Sequence, residues 1–379
     1  MPERHDVSRS YRADDVTFLL KPLAHAAVLD VADKERLIQS GEKHYSEMIS
    51  PEKAPSASYM NLFRQAWARN GERSARDLLR LAAMLDAAKP GAITLVSLAR
   101  GGTPVGVVLK RLLQSVFART DVVHYSVSII RDRGIDANAL DHILAQGRDA
   151  ESIAFIDGWT GKGVITRELC ASVTRYNQQR GARLDPGLWV LADLAGVTPH
   201  AASRDDYLIP SSILNATVSG LVSRSILDAS IGDGDFHGCL YFHELERADV
   251  SRDFVDDISR RAEALAQGMP TLAPPETPAD ATTRRQAVER LIADLMHEHG
   301  VSSPNFIKPG IGEATRVLLR RNPGLLILRE DAGLNTGDDG DTAHLRALAA
   351  ERGVPIVAAA NLGPYQAIAI IKELRHAPE

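Results

Sequence analysis

Apolar and polar residues alternate with two different periods along the first two thirds of the chain. Short apolar runs of the kind that form buried strands are separated by segments whose apolar residues recur at helical spacing. The strand-like runs are ITLVSLA, VVHYSVSII, SIAFID and LWVLADLA, beginning at Ile93, Val122, Ser152 and Leu188, and a mainly helical segment precedes the first of them. Strands that alternate with helices predict a parallel sheet covered on both faces, and therefore an α/β fold.

The periodic pattern stops once, at GMPTLAPPETPADATT, residues 268–283. This proline-rich segment has neither a strand nor a helix period, which predicts an extended linker. The pattern then restarts on a smaller scale, as a helix, the stretch NFIKPGIGEATRVLLRR, the strand GLLILRE, the helix HLRALAAER, the strand VPIVAAA and a final helix. We therefore predict a larger domain over residues 1–267, a linker over 268–283 and a small α/β domain over 284–379.

The composition narrows the class of protein. Of the 379 residues, 44% are hydrophobic and 25% are charged, as in soluble globular proteins. A net charge of -5 gives no general attraction to nucleic acids or anionic membranes. No apolar stretch reaches the roughly 20 residues that a membrane span needs, and the first residues lack the apolar core of a signal peptide. With Cys170 and Cys239 as the only cysteines, no disulfide framework is expected, and we predict a cytoplasmic protein without a membrane partner.

Three loops rich in glycine and charge follow successive predicted strands. They are LARGGTP (98–104), IIRDRGID (129–136) and FIDGWTGKG (155–163). Because the carboxyl ends of parallel strands share one edge of a sheet, the loops should converge. Glycines let backbone amides approach an anion, and a helix that begins there adds its dipole, which predicts a phosphate site. The alternative is a turn whose glycines serve geometry alone, whereas a Walker A loop is excluded because no hydroxyl residue follows the lysine.

The order of these loops resembles the type I phosphoribosyltransferases. The resemblance implies a phosphoribosyltransferase-type parallel sheet with a helical lead-in and a lid. It also implies an enzyme that binds phosphoribosyl pyrophosphate or a related ribose phosphate with Mg²⁺, forms or cleaves a glycosidic bond, and assembles as a homodimer. The implied 5′-phosphate site consists of Thr160, Gly161, Lys162 and Gly163.

The same resemblance implies roles for the residues around that phosphate site. Asp157 would bind the ribose and the metal, and Arg131 or Arg133 would close over the ligand as catalytic residues. Arg100, Gly101 and Gly102 would hold the pyrophosphate. The alternative for the two loop arginines is surface pairing with Asp132 and Asp136.

Longer stretches resemble a particular subgroup. GEKHYSEM, TLVSLARGGTPVGVVLKR, HYSVSIIRDRGID and FIDGWTGKGVITREL are similar to the phosphoribosyltransferase-like proteins of tellurite-resistance and stress gene clusters, some of which carry the label "cysteine protease StiP". This implies synthesis of a nucleoside-like stress metabolite. However, Gly158 and Trp159 follow Asp157 where the transferases have a second acid. A non-catalytic protein that senses a ribonucleotide and binds RNA is therefore an alternative.

Two segments, 41–50 and 193–245, are predicted to form a lid that contacts the acceptor of the reaction. The candidate contact residues are His44, Tyr45, Trp159 and Asp193. For His44 and Tyr45 the alternative is a solvated surface. For Trp159 it is an anchor of the loop in the core, and for Asp193 a structural cap.

The stretch DGDFHGCLYFHEL (233–245) contains side chains that bind metals, although without the helical spacing of paired ligands. It also places Cys239 near His237 and His243, as a thiolate–imidazole couple requires. A cysteine hydrolase that uses Cys239 is therefore a further hypothesis, and a buried packing cysteine is its alternative.

The C-terminal stretches NFIKPGIGEATRVLLRR, LLILRED and VPIVAA resemble the Pelota-type RNA-binding fold. The resemblance implies RNA contact, with Lys308, Arg316 and Arg320 as candidates beside a glycine-rich turn. Basic and acidic residues are equally numerous from residue 281 onward, which does not favour tight RNA binding. An accessory domain that docks on the first domain or mediates oligomerisation is the alternative.

Overall fold

The computed structural model describes residues 7–268, 278–330 and 340–373. The strands of the first domain are β1 (Thr17–Leu19), β2 (Lys21–Pro22), β3 (Ile93–Ala99), β4 (Val122–Ile130), β5 (Gly134–Ile135), β6 (Ile153–Thr160), β7 (Leu188–Asp193), β8 (Ala201–Ser203) and β9 (Gly238–Cys239). Its helices are α1 (Val31–Gln39), α2 (Ala57–Ala88), α3 (Thr103–Ser115), α4 (Ala137–Ala145), α5 (Val164–Arg180) and α6 (Ser251–Ala266).

The main sheet of the first domain runs in the order β1-β4-β3-β6-β7-β8, and β5 pairs with the end of β4. Every neighbouring pair along that order is parallel, whereas β5 is antiparallel to β4. The strands are continuous apolar runs because helices cover both faces and leave neither face to water. The predicted α/β fold with a mostly parallel sheet is confirmed, and the loops after β3, β4 and β6 meet at one edge.

Long helix α2 covers one face of this sheet together with α3 and α6. The Ser56 side chain begins the helix by accepting a hydrogen bond from the Tyr59 backbone amide at 3.2 Å. Buried side chains such as Phe63, Leu81 and Leu85 lie in the core between these helices and the sheet. The opposite face is covered by α4 and α5 through a second apolar cluster that includes Phe155.

The second domain contains α7 (Pro278–Glu298), β10 (Ile307–Pro309), α8 (Ile311–Arg320), β11 (Pro323–Arg329), α9 (Ala343–Glu351), β12 (Ile356–Ala359) and β13 (Ala367–Ile371). Its sheet has the order β10-β13-β11-β12. The predicted final helix was wrong, because the segment contains β13, a central strand that is antiparallel to β10 and β11. All five residues of AIAII in β13 are buried, a continuous apolar run that suits a central strand.

The predicted linker lies partly outside the described residues. Helix α6 ends at Ala266 and α7 begins at Pro278, so residues 278–283 are helical. Proline suits a first helical position because its missing N–H would have no partner within the helix there. Within the described ranges, no helix is long and apolar enough to cross a membrane.

Candidate anion-binding site

The two domains share one cavity of about 750 Å³ at the edge of the main sheet where β6 ends. The first domain contributes the end of β6, the glycine loop that follows it (residues 161–163) and residues 49–56, and the second contributes α8. Basic side chains of both domains line the cavity: Lys34, Lys53, Arg131, Lys162, Arg224, Lys308, Arg316, Arg320, Arg321 and Arg352.

The glycine loop follows a strand that is longer than the sequence pattern predicted. β6 continues past Asp157 to Thr160, which pairs with Asp193 of β7. Gly163 then precedes α5 with a φ of 75°, a conformation that side-chain-bearing residues rarely adopt. A Cβ atom there would also lie 2.7 Å from the Val197 side chain. The loop therefore needs glycine at this position to turn into the helix.

The second domain holds the glycine loop directly. Lys162 Nζ donates hydrogen bonds to the carbonyl oxygens of Pro304 and of Ile307, the latter at 2.8 Å. Tyr365 Oη donates to the carbonyl oxygen of Gly161 at 2.8 Å. Because an ammonium group has three donors, one remains on Lys162 for a ligand. The predicted phosphate loop is thus part of the contact between the domains.

Asp157 lies in the cavity wall beside basic and acidic groups of α8. Its carboxylate accepts a hydrogen bond from the Gly158 amide at 2.8 Å. Burial raises the pKa of Asp157 to about 6, although the Arg316 charge acts in the opposite direction. Arg316 itself forms an ion pair with Glu313 at 2.8 Å. The second domain therefore places a carboxylate near Asp157, where the sequence has glycine in place of a second acid.

Trp159 joins the two domains. The Arg316 guanidinium lies 4.5 Å from the centre of its ring, and Gly312 of α8 approaches so closely that a Cβ atom would lie 2.4 Å from the indole. Its Nε1 is buried without a hydrogen-bond partner in the described structure. Trp159 therefore anchors its loop, as the alternative interpretation held, and it does so by packing against the second domain.

Arg100, which was predicted to bind pyrophosphate, is paired with groups of the protein itself. It donates to the carbonyl oxygen of Val222 at 2.6 Å and pairs with Glu52. Burial would raise the pKa of Glu52, but the charges of Arg100 and then Arg320 hold it below its ordinary value. The charge of Arg100 is therefore neutralised within the protein. Its neighbours Gly101 and Gly102 lie at the turn into α3.

The arginines of the second loop have different surroundings. Arg131 lines the cavity, and its side chain pairs with Asp132 at 3.0 Å. Arg133 pairs with Glu47 at 3.1 Å and does not line the cavity. Arg131 therefore pairs with Asp132, as the surface-pairing alternative held. Arg133 also pairs with an acidic residue, but this residue is Glu47.

Tyr45 is held between two cations at the cavity wall. The guanidinium groups of Arg131 and Arg224 lie 5.3 Å and 5.0 Å from the centre of its ring. Its hydroxyl accepts a hydrogen bond from the Arg131 amide at 2.6 Å. His44 lies beside it, with Nδ1 hydrogen-bonded to Ser46 Oγ at 2.8 Å, but does not line the cavity. Of His44 and Tyr45, only Tyr45 lines the cavity.

Asp193 accepts several hydrogen bonds at the ends of β6 and β7. Its carboxylate accepts hydrogen bonds from the Thr160 hydroxyl at 2.5 Å and from the amides of Ala195, Val197 and Thr198. Thr160 is the last residue of β6, and the three amides belong to the loop that follows β7. The alternative of a structural cap therefore accounts for Asp193, which is 1% exposed.

The acid-and-histidine segment does not assemble a metal or thiolate site. Cys239 is fully buried among apolar side chains that include Val222, and burial raises its pKa to about 12. His237 Nδ1 is hydrogen-bonded to Ser128 Oγ at 2.7 Å, and His243 is 81% exposed. Across the described ranges, no hydrogen bond joins the Cys239 thiol to an imidazole, and no group of three metal-binding side chains is found.

The three RNA-contact candidates of the second domain also line the cavity. Lys308, Arg316 and Arg320 face the first domain in this arrangement. Burial lowers the pKa of Lys308 to about 8 and that of Arg320 to about 9. The second domain therefore docks on the first domain, as the alternative interpretation held. The basic edge of α8 lines part of the cavity.

Several residues of the cavity were missed in the sequence. Lys34, Glu35, Glu52 and Arg224 lie in segments without a recognisable motif, and Glu313 lies in the Pelota-like stretch but was not a candidate there. Single charged residues in helices and loops carry no local signal, because the same pattern is typical of solvated surfaces. Only the folded chain brings them together.

These features define a two-domain α/β protein whose domains meet at a cavity rich in basic side chains. Residues 9–259 match the family described as "Tellurite-like stress resistance cysteine protease StiP", and residues 286–373 match the "PELOTA RNA binding domain". The chain is 42% identical over 378 residues to "Cysteine protease StiP" of Acinetobacter baylyi. The alignment covers 97% of this chain and 94% of that protein. The chain therefore belongs to the StiP family.

This membership confirms the predicted stress-resistance family and the Pelota-like second domain, but the predicted phosphoribosyltransferase activity was wrong. The family description and the relative's name both specify a cysteine protease, a hydrolase, and not a glycosyltransferase. They favour the cysteine-hydrolase alternative, and they support neither phosphoribosyl pyrophosphate nor magnesium. The error has a physical origin: a glycine turn between strand and helix suits many ligands, and a fold does not specify a reaction.

Proposed function

We propose that this chain binds a phosphorylated small molecule in the cavity between its domains. The observation that carries the proposal is an excess of positive charge at the glycine loop, where the neighbouring carboxylate of Glu313 is already paired with Arg316. Lys162 and Lys308, one from each domain, line the cavity there, and neither forms an ion pair with a carboxylate of the described residues. Burial lowers the pKa of Lys162 to about 7, and the charge of Lys308 lowers it further. An anion between the two lysines would offset this cost.

Phosphate is the anion that best fits the donors at this place. The cavity offers the amides of a glycine loop at the start of the 17-residue helix α5, together with ammonium groups. Thr166, which also lines the cavity, has a buried hydroxyl without a partner in the described structure. An acceptor oxygen of a ligand would satisfy such a donor.

Anion affinity is expected to fall as the pH rises from 6.5 to 9. The protonated lysines attract an anion, and in the free protein the pKa of Lys162 is about 7 and that of Lys308 about 8. Above each pKa, binding must be accompanied by proton uptake, which weakens it by up to about tenfold per pH unit for each lysine. Calorimetric titration with sulfate, whose charge is constant in this range, in buffers of different ionisation enthalpy measures both the affinity and the protons taken up.

The control is Lys162→Met, which removes one titrating ammonium and keeps most of the side-chain volume. This variant is expected to bind sulfate more weakly at pH 6.5 and to take up fewer protons at pH 8. Sulfate binding that is independent of pH and unaffected by the substitution would contradict the proposed site.

The second candidate function is hydrolysis by a cysteine, which the family description and the relative's name favour. The chain has two cysteines, the exposed Cys170 on α5 and the buried Cys239. A thiolate nucleophile needs a lowered pKa and access to substrate, and the Cys239 environment raises the pKa instead. Cys239 would need a rearrangement of β9 to act.

Cys239→Ala is therefore expected to leave any peptidase activity of the folded protein unchanged. In parallel, native protein should react with iodoacetamide at Cys170, whereas Cys239 should react only after unfolding. The measurements are hydrolysis of a denatured protein substrate by wild type, Cys239→Ala and Cys170→Ala, and mass spectrometry of the alkylated sites. Activity that is abolished by Cys239→Ala alone would establish the hydrolase with Cys239 as nucleophile and contradict this expectation.

A further inference from the structure

The sheet of the second domain has one covered edge and one open edge. Its order β10-β13-β11-β12 makes β10 and β12 the edge strands. At the β10 edge, Lys162 of the first domain donates a hydrogen bond to the carbonyl oxygen of Ile307 at 2.8 Å, so the first domain covers this edge. Among the described residues, no strand pairs with the outer side of β12. The edge at β12 is therefore free to pair with another strand.

The backbone of β12 offers hydrogen-bonding groups at this open edge. The Glu330 amide, at the end of β11, donates to the carbonyl oxygen of Ala359 at 3.0 Å, so Ala359 directs its backbone groups toward β11. In a parallel ladder, alternate residues of a strand bond to the same neighbour. The amides and carbonyl oxygens of Ile356 and Ala358 therefore point away from β11, and no partner for them is found in the described part of the chain.

Apolar side chains are exposed on both faces of this strand. Ile356 and Val357 are 40% and 44% exposed, and with Val28 they are the only exposed large hydrophobic residues of the described ranges. Successive side chains of a strand point to opposite faces of a sheet, so β12 extends beyond the covering helices on both faces. An added strand would cover both side chains and the free backbone groups together. A partner that docks on one face would reach only one of the two side chains.

The sequence around β12 carries no charge. Residues 353–371, GVPIVAAANLGPYQAIAII, contain no acidic or basic side chain. Natural proteins usually protect an open edge strand with charged side chains, prolines or bulges. Here Pro355 lies before the strand, and alanines within it allow a second backbone to approach closely. Two copies of this segment can therefore lie side by side without placing like charges opposite each other.

We infer that β12 is a dimerisation surface, which takes β12 of a second copy of this chain as an antiparallel strand. A two-fold axis presents the same residues on both sides of a contact and makes a strand antiparallel to its own copy. The two four-stranded sheets would then form one continuous sheet. The homodimer predicted above came from the resemblance to transferases, whereas this pairing follows from the open, uncharged edge. It uses none of the groups proposed to bind an anion.

The dimer is expected to be reversible because the paired strands are short. β12 has four residues, and a contact of this size falls at the lower end of specific interfaces. We expect a dissociation constant on the order of 10 µM. The measurement is sedimentation velocity of the wild type at concentrations up to about 200 µM. A reductant excludes disulfide dimers through the exposed Cys170.

Two substitutions should prevent the pairing by different means. Val357→Lys places a charge on the edge, where the dimer would bring it close to its own copy. Ala358→Pro removes an amide that points away from β11, so the hydrogen bonds between β12 and β11 remain. Each substitution is expected to raise the dissociation constant by at least about tenfold.

The matched control is Val28→Lys, which makes the same change at a valine of the first domain that is 49% exposed. This variant should dimerise like the wild type, which excludes an effect of added charge or lost apolar surface alone. Circular dichroism and urea denaturation establish that each variant is folded. If Ala358→Pro does not fold, Val357→Lys decides the test, because its side chain is already exposed to solvent.

Dimerisation that Val357→Lys weakens and Val28→Lys preserves would support pairing through β12. A wild type that remains monomeric at about 200 µM would overturn the inference, whatever other partner covers this edge. A dimer that persists unchanged in folded Val357→Lys or folded Ala358→Pro would overturn it too, because the copies would then meet through another surface. Equal weakening by Val28→Lys and Val357→Lys would show that the association is not specific to β12.

Discussion

The Gly102→Ala variant is expected to lose about 3 kcal/mol or more of folding stability, although it adds only one methyl group. A Cβ atom at Gly102 would lie 2.4 Å from the carbonyl oxygen of Ile156 and 3.0 Å from the amide nitrogen of Leu98. Both are backbone atoms of central strands, β6 and β3, and they cannot move away by rotating a side chain. The start of α3 must therefore separate from the sheet, or the strands must shift.

Urea denaturation of Gly102→Ala and of a neighbouring glycine variant tests this expectation. Gly158→Ala is the matched control, because its Cβ would have only an ordinary contact, 3.8 Å from the carbonyl oxygen of Gly101. Gly158→Ala should change the free energy of unfolding by less than about 1 kcal/mol. Equal stability of the two variants would show that α3 does not approach β6 as closely as described. The sequence-based role of Gly102 in binding pyrophosphate would predict lost binding in a stable protein.

The Gly312→Ala variant is expected to weaken the docking of the second domain on the first. Gly312 lies in α8, and a Cβ atom there would lie 2.4 Å and 2.5 Å from two carbons of the Trp159 indole. In an isolated helix the same substitution would be favourable by about 1 kcal/mol. The expected loss is therefore a property of the interface. Because the cavity is shared by both domains, sulfate affinity should fall by about tenfold or more when this contact opens.

A second substitution at the partner position makes this prediction specific. Trp159→Leu removes the ring that the new methyl group would strike, so the double variant should recover part of the stability lost in Gly312→Ala. Gly91→Ala is the control for glycine replacement, since nothing lies within 4 Å of its Cβ position. Urea denaturation and sulfate titration of the four proteins complete the cycle. Independent effects of the two substitutions would contradict a direct contact between Trp159 and α8.

The family description and the basic cavity indicate different parts of the molecule as the functional site. The description of the family names a cysteine protease, whereas no cysteine is among the residues that line the cavity. Cys239 lies in an apolar cluster whose other members include Val7 and Leu20, and its pKa is raised. The alkylation and hydrolysis measurements decide whether the thiol or the cavity carries the activity of this chain.

The class of the first domain was predictable from local pattern. Apolar runs such as ITLVSLA alternate with segments of helical period. Strands that are covered on both faces of a sheet are continuous apolar runs. The glycine loop was also predictable, because Gly163 needs a left-handed backbone that few other residues adopt. By contrast, the final segment was predicted as a helix, whereas AIAII forms β13 between β10 and β11. A short apolar run does not show from its own sequence whether neighbouring strands will pair with it.

The sequence by itself determined the α/β class, the two periodic regions and the presence of a glycine turn between a strand and a helix. Each of these follows from the local spacing of apolar residues and glycines. Only the tertiary structure decided what surrounds that loop. Lys162 and Lys308 are far apart in the chain and line one cavity when the second domain docks at Trp159. Charge acts through space and not along the chain, so a site of this kind is formed by folding alone.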